Sequence, residues 1–315
     1  MIALRAWPAL LVVLAGTAAA QSPESLAWLR KIQEATRTSY SGTFVYLHGG
    51  RSETSRIARF APLDTERLEV LDGMPREVIR TKDRVSCYFP ESKVVKVERR
   101  TGERSFPALL PDKLASIAQH YDISLGETRR IGGAECQAVV LTPKDNLRYG
   151  YRLYADVRSG MLVRSMTVDA AGNTIEQFTF AQFKIGGVTP DMVKPRHGVA
   201  SWRVEDAEAV PARLVGWSLS AELPGFQKIV ELTRRMGESN PVGQVVYSDG
   251  LAAVSVFIEP LQARREPPRT GLASLGAIHI FTREVANHMV TVVGEAPAAS
   301  VQRIANAVEY RSPKN

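Results

Sequence analysis

The residue types that carry most protein chemistry are few in this 315-residue chain, and their spacing does not suit the usual sites. His48, His120, His197, His279 and His288 never recur at i, i+3 or i+4, the spacings that would place two imidazoles together on one helical face. There is no His-Glu-x-x-His, no Gly-x-Ser-x-Gly turn, no Gly-x-Gly-x-x-Gly and no phosphate-binding glycine loop. Asp64 with Glu66, and Asp206 with Glu208, come nearest to paired carboxylates, but in turn-like or linker sequence they read as solvated charge. Neither a motif-based enzyme nor a resident cofactor or metal is expected, although a hydrolase assembled from distant residues stays open. Two cysteines, Cys87 and Cys136, lack the Cys-x-x-Cys spacing of a redox pair. Four arginine pairs remain: Arg99-Arg100, Arg129-Arg130, Arg234-Arg235 and Arg264-Arg265. They are either solvated charge or bidentate seats for phosphate or carboxylate.

The elements that must position these residues begin with a leader. Arg5, the apolar run Leu10–Ala15 and Ala18-Ala19-Ala20 form a secretory signal over residues 1–20, so the mature chain is expected to start at Gln21 in the periplasm. Export makes a Cys87–Cys136 disulfide the expected state, with two buried free thiols as the alternative. Lys and Arg number 40 against 33 Asp and Glu, a charge of +7 that is spread thinly; no nucleic-acid partner is expected.

The length predicts two domains. Ser22 and Pro23 open a helix over residues 23–38, and a second short helix is expected over Asp112–His120. Strands are expected at Ser41–His48, Arg67–Gly73, Arg76–Arg80, Arg84–Phe89, Lys93–Glu98, Ala138–Leu141, Arg148–Val157, Leu162–Val168 and Thr174–Lys184. These make a large unit over residues 21–187. Glycines and prolines mark a linker over 188–212. A smaller unit over 213–315 has strands at Phe226–Thr233, Gly243–Ser248, Ala252–Glu259, Ala277–Thr282 and His288–Gly294 and a closing helix at Ala298–Val308. Apolar side chains alternate along the large unit's strands, enough to leave a concave apolar face for one lipid. Val85, Phe89, Tyr151, Leu153, Met166 and Phe178 are the expected lining.

Several stretches, in order, resemble the RseB/MucB family of periplasmic regulators of the envelope-stress sigma factor. They are Leu71–Arg80, Arg148-Tyr149-Gly150-Tyr151, Glu176-Gln177-Phe178, Tyr247–Leu251 with Val254–Pro260, and Thr291–Pro297. The resemblance implies an α+β protein with an unclosed antiparallel β-barrel similar to the lipoprotein carriers LolA and LolB, plus a small C-terminal α/β domain. It implies binding to the periplasmic domain of a membrane-spanning anti-sigma factor, protection of that factor from regulated proteolysis, and release on sensing lipopolysaccharide or a lipidated protein. Arg234, Arg235 and Tyr247 are the expected partner contacts. A periplasmic lipid or lipoprotein carrier is the alternative function, and self-association is left open.

Overall fold

Ser22 caps the first helix, α1 (Pro23–Thr36): its Oγ accepts from the Ser25 N–H at 3.2 Å, and Pro23 fills the first turn. Leu29, Ile32 and Ala35 form the buried stripe. The computed structural model describes residues 22–99, 110, 114–207, 209–219, 224–234, 241–261 and 270–312, without the side chains of 115 and 207. The leader 1–20, Arg100, Arg235 and the Arg264-Arg265 pair lie outside the described residues. Among those described, no helix is long and apolar enough to cross a membrane.

A large sheet follows. Its strands are β1 (Tyr40–His48), β2 (Arg51–Phe60), β3 (Thr65–Val70), β4 (Arg76–Arg80), β5 (Arg84–Phe89), β6 (Val94–Arg99), β7 (Tyr121–Ile131), β8 (Ala134–Pro143), β9 (Gly150–Asp156), β10 (Leu162–Val168), β11 (Thr174–Ile185) and β12 (Arg203–Ala207). They run in the order β12-β6-β5-β4-β3-β2-β1-β11-β10-β9-β8-β7, so β12 and β7 are open edges rather than a closed seam. Every pairing is antiparallel except β12 on β6. The inner face packs on α1 and on α2 (Leu114–His120), with Phe44, Phe178 and Phe180 in edge-to-face contact 5.7–6.4 Å apart.

Residues 188–212 are not a free connector. Val188 and Val193 pack on Ala58 and Phe60 on the outer face of the large sheet, and Trp202 packs on Tyr88. The chain then pairs twice: β12 joins the large sheet, and β13 (Ala209–Pro211) joins the small one. This stretch therefore stitches the two sheets together.

The small sheet contains β13, β15 (Gln227–Arg234), β16 (Val242–Ser248), β17 (Ala253–Pro260), β18 (Gly271–Leu275), β19 (Ile278–Val285) and β20 (His288–Gly294), ordered β13-β15-β16-β17-β20-β19-β18. Helix α3 (Ala298–Ala307) lays Val301, Ile304 and Ala305 against Val256, Ile258, Val290 and Val292. The strands β14 (Trp217–Leu219) and β21 (Val308–Tyr310) pair beside it. The expected α/β character takes the form of an antiparallel sheet under one helix.

The disulfide expected between Cys87 and Cys136 is absent: both are free thiols. Cys87 lies on β5 and Cys136 on β8, and β4, β3, β2, β1, β11, β10 and β9 separate these strands in the sheet. Burial, reinforced by Asp156, pushes the Cys136 thiol up to about 11, and burial also raises Cys87. Both stay protonated near neutral pH and are poor nucleophiles.

Candidate binding cavity and the contacts that close it

A cavity of about 310 Å³ opens on the inner face of the large sheet. Its walls are Phe44 and Tyr46 from β1, Leu68 from β3, Tyr151 from β9 and Phe178 from β11, with Leu251 entering from the small sheet's side. Ser55 also lines it and is 1% exposed, and its Oγ has no hydrogen-bond partner among the described residues. The charged lining is Glu53, Glu176 and Glu295 against Arg80, so the mouth is acidic on balance. Burial, then the Glu176 carboxylate that accepts its hydrogen bond, pushes the Tyr46 phenol up.

Of the six residues expected to line a lipid site, Tyr151 and Phe178 line this cavity. Leu153 is buried in the same apolar cluster and Met166 packs against it, but neither borders the opening. Val85 and Phe89 sit on β5, three strands beyond β2 in the sheet, and Phe89 lies under the Lys96 ammonium at 5.9 Å.

Beyond the cavity lining, the two sheets are joined by contacts that the sequence patterns do not record. Arg148 and Asp249 have fully buried side chains, and Arg148 Nη1 donates to Asp249 Oδ2 at 2.9 Å. The Tyr121 hydroxyl donates to the same oxygen at 3.3 Å. The Arg148 guanidinium also donates to Asp145 and to the Pro224 carbonyl, and it lies over the Tyr121 and Phe226 rings. Beside it, burial and the Arg148 charge lower the His120 pKa. Around this pair, Ala277 N–H donates to Glu176, Ser300 Oγ donates to the Leu147 carbonyl at 2.8 Å, and the Tyr149 hydroxyl meets His279 Nδ1 at 3.3 Å. Arg148 and Asp249 fall in two of the five quoted family stretches, and that was the only signal for them.

The proposed partner contacts are placed differently from one another. Tyr247 lines a second cavity of about 540 Å³ with Trp217, Phe226, Val245 and Ile304; Ser218, Lys228 and Glu231 also line it, and it is confined to the small unit. Arg234 instead faces Glu98 of β6 at 3.9 Å, a contact between the sheets. A third cavity, about 650 Å³, lies on the outer face under residues 191–196. Its cations are Arg56, Arg67, Lys184, Lys194 and Arg196; Arg56, Arg67 and Arg196 share Glu69, Arg67 also meets Glu77, and Lys194 meets Asp191, so the site stays basic on balance.

Residues 24–204 match the family model described as the MucB/RseB N-terminal domain, and residues 211–309 match that of the MucB/RseB C-terminal domain. The sigma factor AlgU regulatory protein MucB of Pseudomonas aeruginosa is 30% identical over 299 residues, covering 92% of each chain. The sigma-E factor regulatory protein RseB of Escherichia coli is 26% identical over 303 residues, covering 93% of this chain and 92% of that one. Among solved structures, the Pseudomonas aeruginosa MucA/MucB complex aligns with a TM-score of 0.72 at 27% identity, over 92% of this chain and 100% of that one. A MucB structure in complex with the periplasmic part of MucA aligns at 0.70 with 27% identity over the same shares.

Proposed function

The chain belongs to the MucB/RseB family, and from that premise we propose that it regulates an envelope-stress sigma factor by binding the periplasmic region of a membrane-spanning anti-sigma factor. Bound, it shields that region from regulated proteolysis. The observation that carries this reading is the likeness of both sheets, in order and over nearly the whole chain, to a MucB held in a MucA complex. Export through the leader at residues 1–20 puts the chain in the same compartment as that partner. We place the partner contact on the small unit, at the cavity lined by Tyr247 and Trp217.

Release is set by a lipid in the inner cavity of the large sheet, where Tyr151 and Phe178 supply apolar wall. A tenfold loss of partner affinity needs about 1.4 kcal/mol of coupling. The buried contacts between the sheets are large enough to transmit that. A simple carrier has less support, because a carrier has no evident need of the second, smaller sheet.

The test is protection. Purified mature chain added in equal amount to the anti-sigma periplasmic region, in the presence of the protease that makes the first cut, should slow cleavage at least tenfold. Unchanged cleavage at saturating chain would remove the regulatory reading.

A further inference from the structure

The segment Tyr247–Leu251 forms the tip of the β16–β17 hairpin, and the tip is built as a rigid knob. Asp249 Oδ1 accepts from the N–H groups of Leu251 and Ala252 at 2.8 and 2.7 Å. Ser248 Oγ donates to the Ala252 carbonyl at 2.8 Å and accepts from Gly250 N–H at 3.0 Å. Gly250 takes φ +99°, a backbone state that side-chain-bearing residues adopt at a cost. Within the turn itself, residues 249–252, the large apolar side chain is Leu251. It is 3% exposed, and it is buried in the large sheet's core, with Phe44, Tyr151 and Phe178, rather than in its own.

The seat it takes is unfinished. A cavity of about 310 Å³ remains beside it. The buried Ser55 hydroxyl lining that cavity has no partner among the described residues, although buried hydroxyls are almost always hydrogen-bonded. Glu53, Glu176 and Glu295 line the cavity against Arg80, and although Glu53 meets Arg76 at 3.4 Å, Arg80 is itself held by Glu66 at 3.5 Å, so the lining stays acidic and disfavours an anionic head group. Apolar walls, one unused hydroxyl and an acidic mouth together describe an alkyl chain joined through a neutral ester or amide.

We propose that Leu251 is a built-in occupant of the ligand seat: an alkyl chain on a neutral ester or amide displaces it, with the carbonyl oxygen accepting the Ser55 hydroxyl, so chain entry and docking of the hairpin tip exclude one another. This rests on the ligand-capture part of the proposed function and names its chemistry and its competitor. Because Asp249 shapes the knob and also holds Arg148, expelling Leu251 pulls on the buried ion pair that joins the sheets. The apparent affinity for the chain is the intrinsic affinity reduced by the fraction of molecules with the tip withdrawn.

The experiment titrates the full mature chain with monolauroylglycerol below its aggregation threshold, by calorimetry, and follows the radius of gyration by small-angle scattering. Leu251→Ala should bind about tenfold or more tightly, since its tip competes weakly. Leu251→Met, which keeps most of the volume, should not show that gain, and Asp191→Ala, an exposed change on the outer face, should bind like the unmodified chain. Laurate, with the same chain and a carboxylate, should bind more weakly than the ester. The probe should expand the unmodified chain. If the unmodified chain and Leu251→Ala bind equally and neither expands, the competition is wrong while ligand capture stands. If neither binds, capture itself fails and takes this inference with it.

Discussion

Asp249→Ala is expected to destabilise the full chain by about 3 kcal/mol or more and to loosen the junction of the two sheets. Removing one partner of a buried ion pair leaves the other charge without compensation, a loss of about 3–5 kcal/mol where burial is complete. Both side chains here are 0% exposed. Asp145 stays on Arg148 and offsets part of the loss, but the Leu251 and Ala252 amides and the Tyr121 hydroxyl lose their acceptor as well. Denaturant unfolding should show an earlier or split transition, and scattering should show an expanded particle. The double change Arg148→Met with Asp249→Leu should regain much of the loss, because a buried pair is often replaceable by apolar groups. As a control, Asp191→Ala removes an exposed partner of Lys194 and should leave the melting temperature where it was. If Asp249→Ala behaves like Asp191→Ala, the junction is not held by this pair.

Phe178→Asp should abolish capture of a single-chain lipid, lowering affinity beyond a hundredfold. Phe178 is buried, lines the cavity and meets Phe44 and Phe180 edge-to-face. A carboxylate there would replace apolar wall and join Glu53, Glu176 and Glu295 in a lining that holds one arginine, Arg80, and a buried charge in such a site is strongly disfavoured. Truncating a buried phenylalanine costs about 3–5 kcal/mol of stability by itself. Phe178→Leu therefore serves as the companion that keeps the fold, with an intermediate fall in affinity. The signal is the fluorescence of a dansylated undecanoyl ester. Retained capture in a Phe178→Asp chain with native circular dichroism would place the lipid elsewhere.

The strands that alternate cleanly were legible. Tyr40, Phe44 and Tyr46 on β1, and Phe178 and Phe180 on β11, mark inward positions by period two. The β2 strand was not, because its inward positions include Ser55 and Arg59 beside Ile57. Arg59 is buried through ion pairs with Glu66 at 2.9 Å and Asp64 at 2.7 Å, so the two carboxylates read as solvated charge are structural. Polar residues that pair across strands erase the apolar pattern that announces a strand. The β7 edge was hidden in the same way by Glu127, Arg129 and Arg130, with a bulge between Leu125 and Thr128. The cysteines were misread because export licenses a disulfide but says nothing of which strands become neighbours. Tyr151 and Phe178 were found as apolar strand residues, whereas Arg148 meets Asp249 about 100 residues away and Leu251 packs in the core of the other sheet, which no local pattern records.

The two sheets are thus tied by polar contacts around a cavity that the small sheet itself closes. This is the arrangement in which a ligand and a protein partner can act on one another, since each needs a particular docking of the sheets. The most direct measurement is calorimetric titration of the mature chain with the periplasmic region of the membrane anti-sigma factor, alone and with monolauroylglycerol present. Saturable one-to-one binding that the lipid weakens about tenfold is expected, with an equal weakening of lipid binding by the partner. Absence of binding between the two proteins, in a chain whose fold is intact, would contradict it.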